Sequence, residues 1–231
     1  MSDDAEQENG WSRRQLLERA VAGAALGIAV SRDANATGTG RTDLSPKESL
    51  RELLDGNRRF AAGEIMAPHR ELARVKAVAA KQTPFAAVLG CADSRVPVEI
   101  LFDEGFGTLF VVRVAGNIAT ATEIASLEYA VEVLGVKVIV VLGHSNCGAV
   151  KAAFEGAEVP GQISTLYQHI TPAFSGNRTD LDAAIHANVR FQALKLREGS
   201  TIVSKYLAEG KLLLAGAYYD LSSGRVTIVD V

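Results

Sequence analysis

The chain has 231 residues, 48% of them hydrophobic and 22% charged, with a formal net charge of −3. This balance excludes an intrinsically disordered chain, and no stretch interleaves Lys and Arg with aromatics, which argues against nucleic-acid binding. Gly, Ala and Val are plentiful while aromatics make up 6%, the composition of a single closely packed α/β domain.

Taken in chain order, the first 36 residues stand apart. Arg13 and Arg14 precede an uncharged run over residues 20–30, too short to span a bilayer but suited to the apolar part of a signal peptide. Ala34 and Ala36 then flank Asn35 as an A-x-A cleavage site. Paired arginines before a modest apolar run resemble a twin-arginine export signal. Residues 1–36 are therefore expected to be removed on export to a periplasm or the exterior, leaving a domain over 37–231. The alternative is a frayed N-terminal helix on a cytoplasmic protein. No stable membrane span is expected.

Ser45, Pro46 and Glu48 occupy the N-cap, N1 and N3 positions of a capping box, and Leu50, Leu53 and Leu54 make one apolar helical face. A second helix is expected over residues 71–80. Apolar runs at 84–90, 108–116 and 136–143 read as buried parallel strands. A helix over 122–134 places Ile124, Leu127, Ala130, Val131 and Leu134 on one face. Further helices are expected at 148–155, 163–170, 181–197 and 201–209. A closing hairpin turns near Ser222 to Gly224. Strands alternating with helices predict an α/β fold, a mostly parallel central sheet flanked by helices.

Ligands collect at the carboxyl ends of the strands in such a sheet. Two strands end in "LGCADSR" and "LGHSNCG", which hold the only two cysteines, Cys91 and Cys147, and one of four histidines, His144. Two thiolates and an imidazole suit Zn²⁺, and three protein ligands leave a fourth position open, the mark of a catalytic site. A Cys91–Cys147 disulfide or two buried free thiols would also use the cysteines, but neither accounts for His144. Asp93 and Arg95 follow Cys91 at a spacing that permits a bidentate pair, which keeps the carboxylate ionised and fixes its direction. His69, His169 and His186 lack partner motifs; of these, only His69 is a candidate proton acceptor at a site mouth.

"CADSRVP", "FVVRVAGN" and "GHSNCGAV", in this order, resemble a β-class carbonic anhydrase, and the likeness covers residues 45–231, including "LLDGNRRFAAG". The resemblance implies one zinc per chain on Cys91, His144 and Cys147, with Asp93 and Arg95 as the catalytic pair. Gln82, Phe110 and Tyr129 fall at the spacings of residues that line the cleft in plant-type members. The resemblance also implies a homodimer or homotetramer, with the N-terminal helices packing on a partner subunit. Some bacterial members bind inhibitory bicarbonate through a tryptophan three residues before the first zinc cysteine. Val88 stands there, and the single tryptophan is Trp11. The expectation is therefore an open site, with Asp93 on Arg95 and not on the metal.

The implied reaction is zinc-dependent reversible hydration of carbon dioxide to bicarbonate and a proton. Two thiolates cancel the charge of the ion, so activity is expected to rise toward alkaline pH. Hydrolysis of carbonyl sulfide or carbon disulfide, both linear analogues of carbon dioxide, is one alternative; a non-catalytic zinc or interaction module is the other.

Overall fold

A computed structural model describes residues 43–174 and 180–231. The expected export signal at 1–36 lies outside the described residues. The strands are β1 (Ala86–Gly90), β2 (Leu109–Arg113), β3 (Val138–His144), β4 (Leu213–Tyr219) and β5 (Val226–Val229). They form one sheet in the order β2-β1-β3-β4-β5. The first four are parallel, and β5 returns antiparallel to β4. β1 and β3 lie inside the sheet with both faces covered, so every one of their residues is buried and they read as unbroken apolar runs. β2 sits at an edge and is only half-buried.

The helices are α1 (Pro46–Ala62), α2 (Leu72–Val78), α3 (Val98–Leu101), α4 (Ala121–Glu132), α5 (Gly148–Glu155), α6 (Tyr167–Ile170), α7 (Leu181–Gly199) and α8 (Thr201–Ala208). Alternation along the strands divides the core in two. Ala87, Leu89, Ile139 and Val141 face α4, α7 and α8 through Leu127, Ala130, Val131, Val189, Leu196 and Val203. Ala86, Val88, Val138, Val140 and Leu142 face α1 and α3 through Leu53, Val98 and Leu101.

The capping box of α1 forms as its residues dictate: Glu48 N–H donates to Ser45 Oγ and Ser45 N–H donates to Glu48 Oε2. The buried face differs from the expected leucine stripe, since Leu53 is fully buried but is joined by Ser49, Gly56 and Asn57. The reason is close approach. A Cβ at Gly56 would sit 1.9 Å from the Phe102 carbonyl oxygen, so only glycine lets the helix come this near. Asn57 then ties α1 to two other elements, donating to the Leu101 and Gly224 carbonyls and accepting from Val226 N–H. Helix α1 thus docks on its own chain. Its other face stays open, and α2 buries none of its residues.

Two other differences have local causes. The helix expected at 163–170 is α-helical only from Tyr167, because Gly161–Leu166 forms 3₁₀ turns. Ser164 and Thr165 hydroxyls donate to the carbonyls three residues back, which competes with the α ladder. The strand expected over 108–116 ends at Arg113, since Gly116 has φ 74° and turns the chain back toward the sheet.

Candidate metal centre

Cys91 directly follows β1, His144 is the last residue of β3, and Cys147 caps the start of α5. β1 and β3 are neighbours in register, Gly90 opposite Leu142, so the two strand ends deliver their side chains to one place. Asn146 makes the tight reversal between β3 and α5 with φ 53°, a left-handed conformation that asparagine tolerates better than most residues. The candidate ligand atoms of Cys91, His144 and Cys147 all lie within 4.8 Å of one another, and all three residues are buried. The two sulfurs are 3.9 Å apart.

These residues fit a zinc ion. The His144 Nδ1 edge faces the Ser145 carbonyl at 3.0 Å, which assigns the proton to Nδ1 and leaves the Nε2 lone pair free to ligate. That Nε2 is buried without a hydrogen-bond partner among the described residues, an orphan that a metal would satisfy. The donor set, two sulfurs and one imidazole nitrogen, is one of those that hold zinc in three-ligand sites. The thiols do not ionise alike. The hydrogen bond from Cys147 pulls the Cys91 thiol down to about 4, while that same bond, together with burial, pushes the Cys147 thiol up.

Asp93 and Arg95 pair in the bidentate geometry that their spacing permits. Arg95 Nε donates to Asp93 Oδ1 at 2.9 Å, and Arg95 Nη2 donates to Oδ2 at 2.8 Å. The Arg95 backbone N–H adds a third bond at 2.9 Å. Led by the guanidinium bonds, these contacts hold the Asp93 carboxyl well below the usual carboxylate range. Asp93 Oδ2 lies 3.9 Å from His144 Nε2, so the carboxylate borders the ligand cluster.

Gln82, Phe110 and Tyr129 are elsewhere. Phe110 pairs with Ala87 near the start of β1, and its ring lies 6.2 Å from that of Tyr129. Gln82 and Tyr129 line one groove of about 720 Å³ with Lys81, Thr83 and Lys137. Cys91 lies four residues after Ala87, about 13 Å along extended chain. Within one chain these three residues therefore gather at the amino-end edge of the sheet and do not meet the ligands. His69 belongs to that side too, its carbonyl accepting from Phe106 N–H ahead of β2. His186 stacks on Tyr218, and the His169 carbonyl accepts from Gln192.

The structure also brings in residues that the sequence reading left without roles. Arg113, at the end of β2, donates to the Cys91 and Asp93 carbonyls at 2.9 and 2.6 Å and so fixes the loop that carries both side chains. Gly116 N–H donates to Cys91 Sγ at 3.3 Å. Both belong to the "VVRVAGN" motif, whose arginine and glycine were the available signal.

Comparison with known proteins agrees with this geometry. The family model described as carbonic anhydrase matches residues 86–226. A carbonic anhydrase of Mycolicibacterium smegmatis is 41% identical over 194 residues, covering 80% of this chain and 93% of its own. Carbonic anhydrase 2 of Mycobacterium tuberculosis is 37% identical over 196 residues, covering 81% and 95%. Among solved structures, one of the tetrameric β-carbonic anhydrases of Sordaria macrospora aligns with TM-score 0.62 and 25% identity, covering 80% of this chain and 98% of its own. This chain belongs to the β-class carbonic anhydrase family. The matched residues include all three candidate ligands, Asp93 and Arg95, and the mostly parallel sheet is the fold that its structural neighbours share.

Proposed function

We propose that the protein catalyses reversible zinc-dependent hydration of carbon dioxide to bicarbonate and a proton. The observation that carries this reading is the convergence of two buried thiols and an orphaned imidazole nitrogen beside a carboxylate held by Arg95. Cys91 Sγ, Cys147 Sγ and His144 Nε2 would hold the zinc, which would supply an acidified water as nucleophile. Asp93, kept ionised and oriented by Arg95, is placed beside the ligands to accept a hydrogen bond from that nucleophile. Arg113 prevents the Cys91–Asp93 loop from drifting. Ile118, Val150 and Ile185 pack around the cysteines and exclude water from behind the site.

Gln82, Phe110 and Tyr129 serve this site only if a second copy brings its amino-end edge against the carboxyl-end edge of the first. Support for a homodimer or homotetramer comes from the unburied α2, the exposed Phe106, Tyr129 and Val133, and the tetrameric neighbours. Export is read from Arg13, Arg14, the apolar run and the A-x-A site alone. Replacing both arginines with lysine should trap the precursor inside the cell.

Stopped-flow turnover of carbon dioxide, carbonyl sulfide and carbon disulfide, compared on metal-analysed protein, tests the reaction. The proposal requires carbon dioxide hydration proportional to zinc content. Preference for either sulfur gas, or zinc without turnover, would refute it. The intact Asp93–Arg95 pair argues against a non-catalytic module, and the carbonic anhydrase relatives favour carbon dioxide over the sulfur gases.

A further inference from the structure

A chain of hydrogen bonds leaves the Cys91 sulfur in the direction of α7. Gly116 N–H donates to Cys91 Sγ at 3.3 Å. On the other side of the same residue, the Gly116 carbonyl accepts from Asn188 Nδ2 at 3.0 Å. Asn188 Oδ1 in turn accepts from Gln192 Nε2 at 2.8 Å, and that amide also donates to the His169 carbonyl at 2.8 Å. Gln192 Oε1 accepts from Ala119 N–H at 2.9 Å, which returns the network to the loop it started from. Asn188 and Gln192 are both fully buried, one turn apart on the inner face of α7.

This is more than satisfied polar burial. Gly116 and Asn117 are consecutive left-handed residues, with φ 74° and 45°, a conformation open to glycine and tolerated by asparagine. A Cβ at Gly116 would also meet Ile170 Cδ1 at 2.7 Å. The loop therefore has a single tight shape, and Asn188 grips its central carbonyl. That grip holds the peptide next to the Gly116 N–H, which with the Asp93 backbone N–H is one of the donors to the Cys91 sulfur. A donor on a thiolate withdraws electron density from it. With two thiolates on one divalent ion, such a donor would limit how far the sulfurs cancel its charge.

We infer that Asn188, braced by Gln192, is a positioning residue that tunes the Cys91 sulfur through the Gly116 N–H. The inference rests on the proposed metal site. Asn188→Asp keeps the size and the acceptor for Gln192 but removes the donor to Gly116. In the Co(II)-substituted protein, this variant should move the sulfur-to-metal charge-transfer band to lower energy. Competition with a chelator should show zinc binding weakened about 10-fold, the lower end for residues behind metal ligands. Val189→Ala, a cavity in the same helix, should lower stability without moving the band. A folded Asn188→Asp protein whose band and zinc affinity match wild type overturns the inference.

Wild type supplies a test that needs no variant. In protein substituted with an NMR-active cadmium isotope and labelled on glycine nitrogen, the Gly116 amide proton should show coupling to the metal across the N–H···S bond. Metal uptake without that coupling overturns the inference alone. If wild type takes up neither cobalt nor cadmium on its thiols, the metal-site reading fails, and this inference falls with it.

Discussion

The two edges of the sheet are built on opposite plans. At the carboxyl end, the candidate ligands are buried, the loops are strapped by Arg113, Asn188 and Gln192, and the orphaned His144 Nε2 lies with the two sulfurs. At the amino end, α2 buries nothing, Phe106 and Tyr129 are about half exposed, and Gln82 opens into a polar groove. The first edge is finished within one chain apart from its metal. The second has the apolar exposure of a surface that another surface covers. The candidate metal site thus lies on the finished edge, and the proposed second copy would cover the other.

The largest effect should come from removing a ligand. Cys147→Ser should lose zinc and reduce carbon dioxide hydration to background, while His69→Ala, on the other edge, should retain both; metal analysis with stopped-flow turnover checks the pair. If His69→Ala also loses zinc, the two edges are not chemically separate. Next, Arg95→Ala should lower turnover about 10- to 100-fold with zinc still bound, the range for groups that orient a reacting partner. Retained activity would mean that Asp93 needs no orientation.

The amino-end edge is tested by Tyr129→Asp. This substitution should weaken self-association at least about 10-fold, as read by light scattering across a dilution series, with zinc content unchanged. A variant that assembles like wild type would show that Tyr129 does not face a second copy.

How much of this was legible in the sequence follows the same division. β1 and β3 could be read because strands covered on both faces are apolar throughout. Cys91, His144 and Cys147 could be read because each adjoins a strand end. α3 could not, since four residues are too few to show a helical period. Asn188 and Gln192 look like ordinary polar positions of a helix. Their partners are main-chain atoms around residues 116–119 and 169, and a backbone carbonyl leaves no mark on a residue pattern. The location of Gln82, Phe110 and Tyr129 within one chain depends on strand register, which residue spacing alone does not give.

A smaller effect should appear in pH-dependent stability near the amino-end edge. Burial pushes the Asp103 carboxyl up, but the bonds from Arg59 and from Met66 and Ala67 N–H outweigh it, and the net shift is downward. A carboxyl lowered on folding stabilises above its unfolded value of about 3.9, and the contribution is lost as pH falls through the folded value. Asp103→Asn should therefore lower Tm clearly at pH near 7 and progressively less below about pH 4. An equal loss of Tm at both pH values would assign the role of Asp103 to packing and not to charge.

An open zinc site completed by three side chains of one chain is best tested by a crystal structure at neutral pH with diffraction recorded at the zinc edge. One anomalous peak per chain is expected, bonded to Cys91 Sγ, His144 Nε2 and Cys147 Sγ, with Asp93 still paired to Arg95. A Cys91–Cys147 disulfide without zinc, or an Asp93 carboxylate oxygen bonded to the metal, would contradict it.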